Sequence, residues 1–241
     1  MPSNFQTFAA LHTSNELFVL PNVWDAKSAR VCQDKKFPAI ATSSYAVASA
    51  LGYEDGEDMP FSDYLFVIRR ILAATYLPLS VDLEMGYGSS DEAIYANIRQ
   101  LIDLGVAGIN LEDSIINSGK RTLKEARQFA KTIRYIRERL TSEGLDLFIN
   151  VRCDTFILDV EDKLAETLRR LPLYESTGAD GLFLPCIADE GDIRAVTRHT
   201  KLPLNVMVIP GLPAYDKLHE WGVKRVSMGA ALFIKAYDNL F

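Results

Sequence analysis

Leu77-Pro78-Leu79-Ser80-Val81-Asp82-Leu83-Glu84 and Gly108-Ile109-Asn110-Leu111-Glu112-Asp113 follow one plan: a short apolar run that ends in two acids. A third stretch, Leu147-Phe148-Ile149-Asn150-Val151-Arg152-Cys153-Asp154, ends in a cation and an acid. Runs this rich in branched aliphatics, with little polar alternation, read as parallel strands covered on both faces. Working outward from strands at 77–82, 108–112 and 147–152, the same texture recurs at 17–21, 38–42, 181–185, 204–208 and 224–228. Eight strands result.

Helical periodicity fills the gaps, at 24–36, 62–75, 90–104, 122–143, 160–177, 190–199, 213–220 and 230–239. Ser90-Asp91-Glu92 opens one of these helices and Gly105 closes it, a cap at each end. Thr122-x-x-Glu125 reads as a capping box that opens another, with Gly144 at its end. Three helices run into the next strand through a glycine, at Gly105, Gly178 and Gly222. Eight strand–helix units in 241 residues predict an α/β fold, a (β/α)8 TIM barrel occupying residues 1–241 as one domain. A doubly wound open sheet is the alternative, but no glycine-rich phosphate fingerprint follows the first strand.

Composition narrows the function. Apolar residues make up 48% of the chain, enough for a large core. A net charge of −6 argues against a nucleic acid or an anionic membrane as partner, though not against a small anion, because a bound metal inverts the local field. Three cysteines without CxxC spacing suit a reduced compartment. The start, Met1-Pro2-Ser3-Asn4-Phe5-Gln6, lacks the basic and apolar regions of a signal peptide, and no apolar run reaches membrane-spanning length. The expectation is a cytoplasmic protein.

In a barrel the active site lies at the C-terminal ends of the strands. That rim would carry Asn22 and Asp25, Ser43 to Tyr45, Asp82 and Glu84, Glu112 and Asp113, Asn150, Arg152 and Asp154, Pro185 and Cys186, Met207 and Pro210, and Ser227 and Met228. Histidine is absent from it: His12, His199 and His219 fall on helices or their ends. Histidine-based zinc sites and Ser–His or Cys–His nucleophiles are therefore disfavoured. Oxygen chemistry remains, and Asp82, Glu84 and Glu112 suit Mg2+, or Mn2+, held partly through water. Asp113 could instead cap the following helix. Arg152 could clamp a substrate carboxylate or pair with one of the acids. The stretch from Thr42 to Gly56 could bind an anion through its amides and hydroxyls, or be an ordinary loop with one helical turn. Cys186 reads as a buried structural thiol.

Five segments together resemble the isocitrate lyase/phosphoenolpyruvate mutase superfamily. They are Pro21-Asn22-Val23-Trp24-Asp25 with its continuation to Arg30, the Ser43 to Gly56 loop, Asp82-Leu83-Glu84-Met85-Gly86-Tyr87-Gly88, residues 108–113, and Asn150-Val151-Arg152-Cys153-Asp154. The resemblance runs in order along nearly the whole chain. It implies a (β/α)8 barrel, small 2-oxo acid substrates and Mg2+ at the acidic strand ends. It implies that Asp82 reaches the metal, with Glu84 and Glu112 acting through water. Asp55 would lie near metal and substrate, and Ser44, Tyr45 and Ala46 would bind the substrate carboxylate. Arg152 would contact substrate, with Asn205 as a further substrate-binding candidate and Tyr45 as a proton donor. Homo-oligomers are implied, although little chain follows Gly229 for the C-terminal helix that many relatives exchange.

One departure is informative. Superfamily lyases that cleave tricarboxylates carry Lys-Lys-Cys-Gly-His after the fourth strand, whereas this chain reads Ser114-Ile115-Ile116-Asn117-Ser118-Gly119-Lys120-Arg121-Thr122. Without that thiol, the expectation becomes enolate chemistry that needs no acid of that kind: decarboxylation or lysis of an oxaloacetate-like 2-oxo acid. The alternatives are carbon–phosphorus chemistry, of mutase or phosphonopyruvate-hydrolase type, and a non-catalytic 2-oxo acid binding protein.

Overall fold

The computed structural model describes residues 2–117 and 119–240. Ser118, quoted above within the 114–122 loop, lies outside the described residues, as do Met1 and Phe241. The strands are β1 (Phe18–Leu20), β2 (Asn22–Val23), β3 (Ile40–Thr42), β4 (Leu79–Asp82), β5 (Gly108–Glu112), β6 (Ser114–Asn117), β7 (Lys120–Leu123), β8 (Phe148–Arg152), β9 (Gly181–Phe183), β10 (Leu204–Met207) and β11 (Val223–Ser227). The helices are α1 (Asn4–Thr13), α2 (Ala26–Asp34), α3 (Ser44–Leu51), α4 (Phe61–Leu72), α5 (Asp91–Asp103), α6 (Ala126–Glu143), α7 (Lys163–Glu175), α8 (Glu190–His199), α9 (Tyr215–Glu220) and α10 (Ala231–Asp238).

Nine of these strands form one parallel sheet in the order β1-β11-β10-β9-β8-β5-β4-β3-β2. Pro21 has no amide hydrogen to donate, and it divides the first stave in two. Its first half, β1, pairs with β11, and its second half, β2, pairs with β3. The ring therefore closes through the proline, and the nine strands are eight staves of the expected (β/α)8 barrel. The Asn22 carboxamide staples this joint: Nδ2 donates to the Thr42 carbonyl at 2.7 Å, and Oδ1 accepts from the amides of Met228 and Gly229 at 2.9 and 2.8 Å.

Aliphatic side chains from strands and helices build the main core, among them Ile40, Leu79, Val81, Ile109, Leu111, Ile149 and Val151. The barrel interior is not wholly aliphatic. Asn110, Asn150, Asn205 and Arg225 are buried together on it. Arg225 donates to Asn205 Oδ1 at 2.6 Å and to Asn110 Oδ1 at 3.1 Å, and Asn150 Nδ2 donates to the same Asn110 oxygen at 2.8 Å. These bonds offset much of the cost of burying polar groups, although Asn150 Oδ1 and Arg225 Nε find no partner among the described residues.

The sequence reading passed over α1. Ser3 and Gln6 form a capping box at its start, and Phe8 and His12 are buried against Phe18 and Phe148 of the strands. The helix expected at 122–143 is corrected at its start. Thr122 belongs to β7, which pairs antiparallel with β6, and α6 begins at Ala126, where Glu125 accepts from the Gln128 amide. Thr122 of the expected capping box thus lies in a β-hairpin, with Gly119 in its turn at φ 76°, and Glu125 alone caps the helix. The small-residue stretch after β3 is largely helix, since α3 runs from the Ser43 cap to Gly52. Among the described residues no helix is long and apolar enough to cross a membrane.

Candidate active site

A cavity of about 180 Å3 opens at the C-terminal ends of the strands. Its polar side is formed by Asn22, Ser44, Tyr45, Asp55, Asp82 and Arg152, and its apolar side by Ile157, Phe183, Pro185 and Met207. A larger open groove of about 1170 Å3 runs beside the start of α7, but loop and helix residues line it, apart from Leu123 of the hairpin strand β7, and no barrel strand ends there.

Asp82 ends β4 and is fixed from both sides. Its amide donates to Thr42 Oγ1 at 2.9 Å, its carbonyl accepts from the Tyr64 hydroxyl at 2.9 Å, and its Oδ2 accepts from Ser44 Oγ at 2.9 Å. Ser44 opens α3, so the hydroxyl that holds Asp82 sits beside the positive end of a helix aimed at the cavity. Within that first turn the Ala46 amide is already capped by Ser43 Oγ at 3.3 Å, and the Ala46 side chain is buried. Tyr45 is 45% exposed at the cavity mouth.

Glu84 and Glu112 stand behind Asp82 and do not line the cavity. Glu84 has left-handed backbone, φ 50°, in a turn with Gly86 and Tyr87, a conformation unusual for a side chain of its size. Tyr87 donates to Glu84 Oε1 at 2.9 Å, whereas the buried Oε2 has no hydrogen-bond partner among the described residues. Burial, then the negative charges of Asp55, Asp82 and Glu112, push the Glu84 carboxyl up to about 8. Glu112 has no exposed surface. Burial pushes its carboxyl upward too, while Arg152 and Arg121 pull against that.

Arg152 is held by two acids. Nε donates to Asp154 Oδ1 at 2.7 Å, Nη2 donates to Asp154 Oδ2 at 3.3 Å, and Nη1 lies 2.9 Å from Glu112 Oε2. Burial opposes its charge, but Glu112, Asp154 and Asp82 outweigh that and keep the guanidinium protonated. Of the two readings of Arg152, the structure shows the ion pair, and the same side chain also lines the cavity. Asp55, on the loop after α3, also lines the cavity; burial raises its carboxyl and Arg121 lowers it.

Other expected residues lie elsewhere. Asn205 is buried in the barrel interior, where its Nδ2 donates to backbone carbonyls and its Oδ1 accepts from Arg225. Asp113 accepts from Arg170 at 2.9 Å, from the Tyr174 hydroxyl at 2.6 Å and from the Asp154 amide at 2.9 Å, a buried structural knot. Asp25 caps α2. Cys186 is partly exposed with φ 67°, so the expected buried thiol is corrected; the loop after β9 carries it outward.

Asp154, expected on the rim but with no role assigned to it there, grips Arg152. Arg121, on β7, bonds Glu112 Oε1 and lies 3.3 Å from Asp55 Oδ2. The Arg-x-Asp spacing was visible in sequence, but nothing local distinguishes Arg121 from a solvent-facing hairpin residue.

The structure thus combines a (β/α)8 barrel with an acidic, guanidinium-bearing pocket at its strand ends. Comparison with known proteins agrees. The sequence profile of the phosphoenolpyruvate phosphomutase family matches residues 8–240. A Burkholderia cenocepacia J2315 protein provisionally described as a phosphonomutase superposes with a TM-score of 0.90 at 40% identity, over 97% of this chain and 94% of that one. The uncharacterised protein Rv1998c of Mycobacterium tuberculosis is 36% identical over 93% of this chain and 82% of its own length. An oxaloacetate decarboxylase from Ectopseudomonas mendocina is 27% identical over 97% of this chain and 82% of its own length. The chain belongs to this family, within the isocitrate lyase/phosphoenolpyruvate mutase superfamily.

Proposed function

We propose that this protein is a divalent-metal-dependent carbon–carbon lyase that decarboxylates or cleaves a small 2-oxo acid of the oxaloacetate type. The observation that carries the reading is the buried Glu84 Oε2, unpartnered among the described residues, in a group of carboxylates beside a cavity that also presents Arg152. Among the described residues no three His, Cys, Asp or Glu side chains converge closely enough to chelate an ion directly. The donor set nevertheless fits Mg2+ or Mn2+, which bind through one or two carboxylates and keep several waters. Asp82 would be the direct ligand, and Asp55, Glu84 and Glu112 would hold the hydrated side.

Such an ion would stabilise negative charge as it builds on the C2 oxygen. The chain's own groups do the remainder. Arg152 and the first-turn amides of α3 orient the substrate carboxylate. Loss of carbon dioxide leaves its electron pair on C3 of the substrate, so bond cleavage needs no general base. Tyr45 or water then supplies a proton at C3. The apolar wall of Phe183, Pro185 and Met207 restricts water around the reacting carbons.

The expectations of a cytoplasmic homo-oligomer and of a single domain over residues 1–241 accompany this reading, and the three free cysteines support a reducing compartment. The oxaloacetate decarboxylase relatives support the carbon–carbon reading; the family's own designation favours carbon–phosphorus chemistry as the second. The deciding experiment is pyruvate release from oxaloacetate with Mg2+ above the rate of free Mg2+, an excess that Asp82→Ala removes. Absence of any excess, together with turnover of phosphonopyruvate in a phosphorus NMR assay, would replace the first reading with the second.

A further inference from the structure

Arg121 belongs to no stave of the barrel. It projects from the β6–β7 hairpin, inserted between the fourth stave and α6, yet its guanidinium lies among the carboxylates of the site. It bonds Glu112 Oε1, approaches Asp55 Oδ2 and Ser114 Oγ at 3.3 Å each, and lies 3.9 Å from Asp154 Oδ2. The side chain is 18% exposed, against none for Glu112. A buried carboxylate cannot be left without compensation. Arg152 serves one oxygen of Glu112 and Arg121 the other.

We propose that Arg121 is a resident counter-cation of the carboxylate group, that it competes with the divalent ion for Asp55 and Glu112, and that the β6–β7 hairpin loosens when the ion enters. This rests on the divalent-metal reading above. Two of the four carboxylates assigned to the ion are those that hold Arg121. A dication among them meets a monocation already in place, in a partly buried setting where salt screens poorly. The two cations therefore weaken one another, and the coupling is reciprocal.

The hairpin is built to yield. A two-stranded ribbon has little stability of its own. Besides Arg121, Ile116 presses it onto the neighbouring loop at Gly56, where a Cβ would overlap the isoleucine side chain. Gly56 adjoins Asp55, so the polar and the apolar fastening act on one loop.

Calorimetric titration of the whole protein with Mg2+ tests the idea, with hydrogen exchange of the β6 and β7 amides (Ser114–Asn117 and Lys120–Leu123) as a second readout. Arg121→Gln is expected to bind Mg2+ about tenfold more tightly than wild type, within the usual range of site–site coupling. Ile116→Ala, which loosens the hairpin and keeps the charge, gains in the same direction by a smaller factor, and Arg121→Lys stays near wild type. Mg2+ speeds exchange of the wild-type hairpin, whereas the Arg121→Gln hairpin exchanges fast without it. Equal or weaker Mg2+ binding by Arg121→Gln, or a wild-type hairpin better protected with Mg2+, overturns the competition and leaves the metal reading standing. No Mg2+ uptake by wild type or variant rejects both.

Discussion

Asp154 receives Arg152 with both carboxylate oxygens, Nε on Oδ1 at 2.7 Å and Nη2 on Oδ2 at 3.3 Å. Asp154 is itself fully buried, with its amide tied to Asp113. The plane of the guanidinium is therefore set before substrate arrives. Asp154→Asn keeps the volume but turns an amide donor or a neutral oxygen toward a cation. We expect KM for the 2-oxo acid to rise about tenfold or more, with a smaller change in kcat, because a loosened arginine costs substrate orientation. Steady-state kinetics at saturating Mg2+ would show it, and an unchanged KM would contradict the assignment.

Asp113 is the other half of this scaffold, and its role is mechanical. Removing it takes from Arg170, 3% exposed, its buried carboxylate partner and leaves only Glu166, 2.7 Å from Nε. Asp113→Ala should destabilise the fold by about 3–5 kcal/mol, the usual result of breaking a buried ion pair from one side. Tyr174→Phe, which deletes a single donor to Asp113, should cost roughly 1–3 kcal/mol. Denaturant titration of both variants distinguishes the two magnitudes.

His12 makes stability depend on pH. Its Nδ1 lies 3.0 Å from the Phe8 carbonyl and its Nε2 lies 3.2 Å from Arg225, an arrangement that suits the neutral ring. Burial, then the Arg225 charge, push its pKa from 6.5 down to about 3. The folded value lies below the unfolded one, so as pH falls the unfolded chain takes the proton first. The contribution is complete above about pH 6.5 and is lost progressively as pH falls toward 3. Within that window it amounts to up to about 1.4 kcal/mol per pH unit. Unfolding free energy measured across the window should fall less steeply in His12→Gln than in wild type; parallel curves would refute the assignment.

Gly181 begins β9 where the neighbouring stave leaves no room. A Cβ there would stand 2.6 Å from Asn150 Oδ1 and 3.1 Å from the Phe148 ring. Gly181→Ala should therefore disturb the Asn150–Asn110 hydrogen bond and cost about 1–3 kcal/mol, as overpacking does. Thermal unfolding would register the loss. Gly105→Ala is the informative contrast, because open space surrounds a Cβ there and only its positive φ resists substitution.

The eight staves were legible because buried parallel strands carry their signature in consecutive residues. The same local logic misled at Thr122 and Glu125, whose spacing imitates a helix cap while the intervening chain pairs as a hairpin. Helix α1 has a readable signal in Ser3 and Gln6, the Ser-x-x-Gln spacing of its capping box. The acidic strand ends pointed to one rim, and the structure gathers Asp82, Asp55, Ser44, Tyr45 and Arg152 around one cavity. Arg121 escaped because its partner Asp55 is 66 residues away, a distance that no local pattern spans. Asn205 entered only as a substrate-binding candidate alongside the resemblance, and its place two residues before Met207 on β10 puts its side chain a layer deeper, on Arg225.

The seam at Pro21 has a consequence for biosynthesis. β1 pairs with β11 through Phe18 and Arg225, so the first stave to leave the ribosome waits for the last. At ordinary translation speeds the interval is roughly 10–40 s for a chain of this size. Throughout it one edge of the nascent sheet has unsatisfied amides and carbonyls, an invitation to foreign strands. The asparagine that later fastens the seam, Asn22, is already present, but the Met228 and Gly229 amides it receives emerge only at the end. A ribosome stalled before β11 would hold an open, adhesive sheet, and emergence of β11 would turn that sheet into a ring.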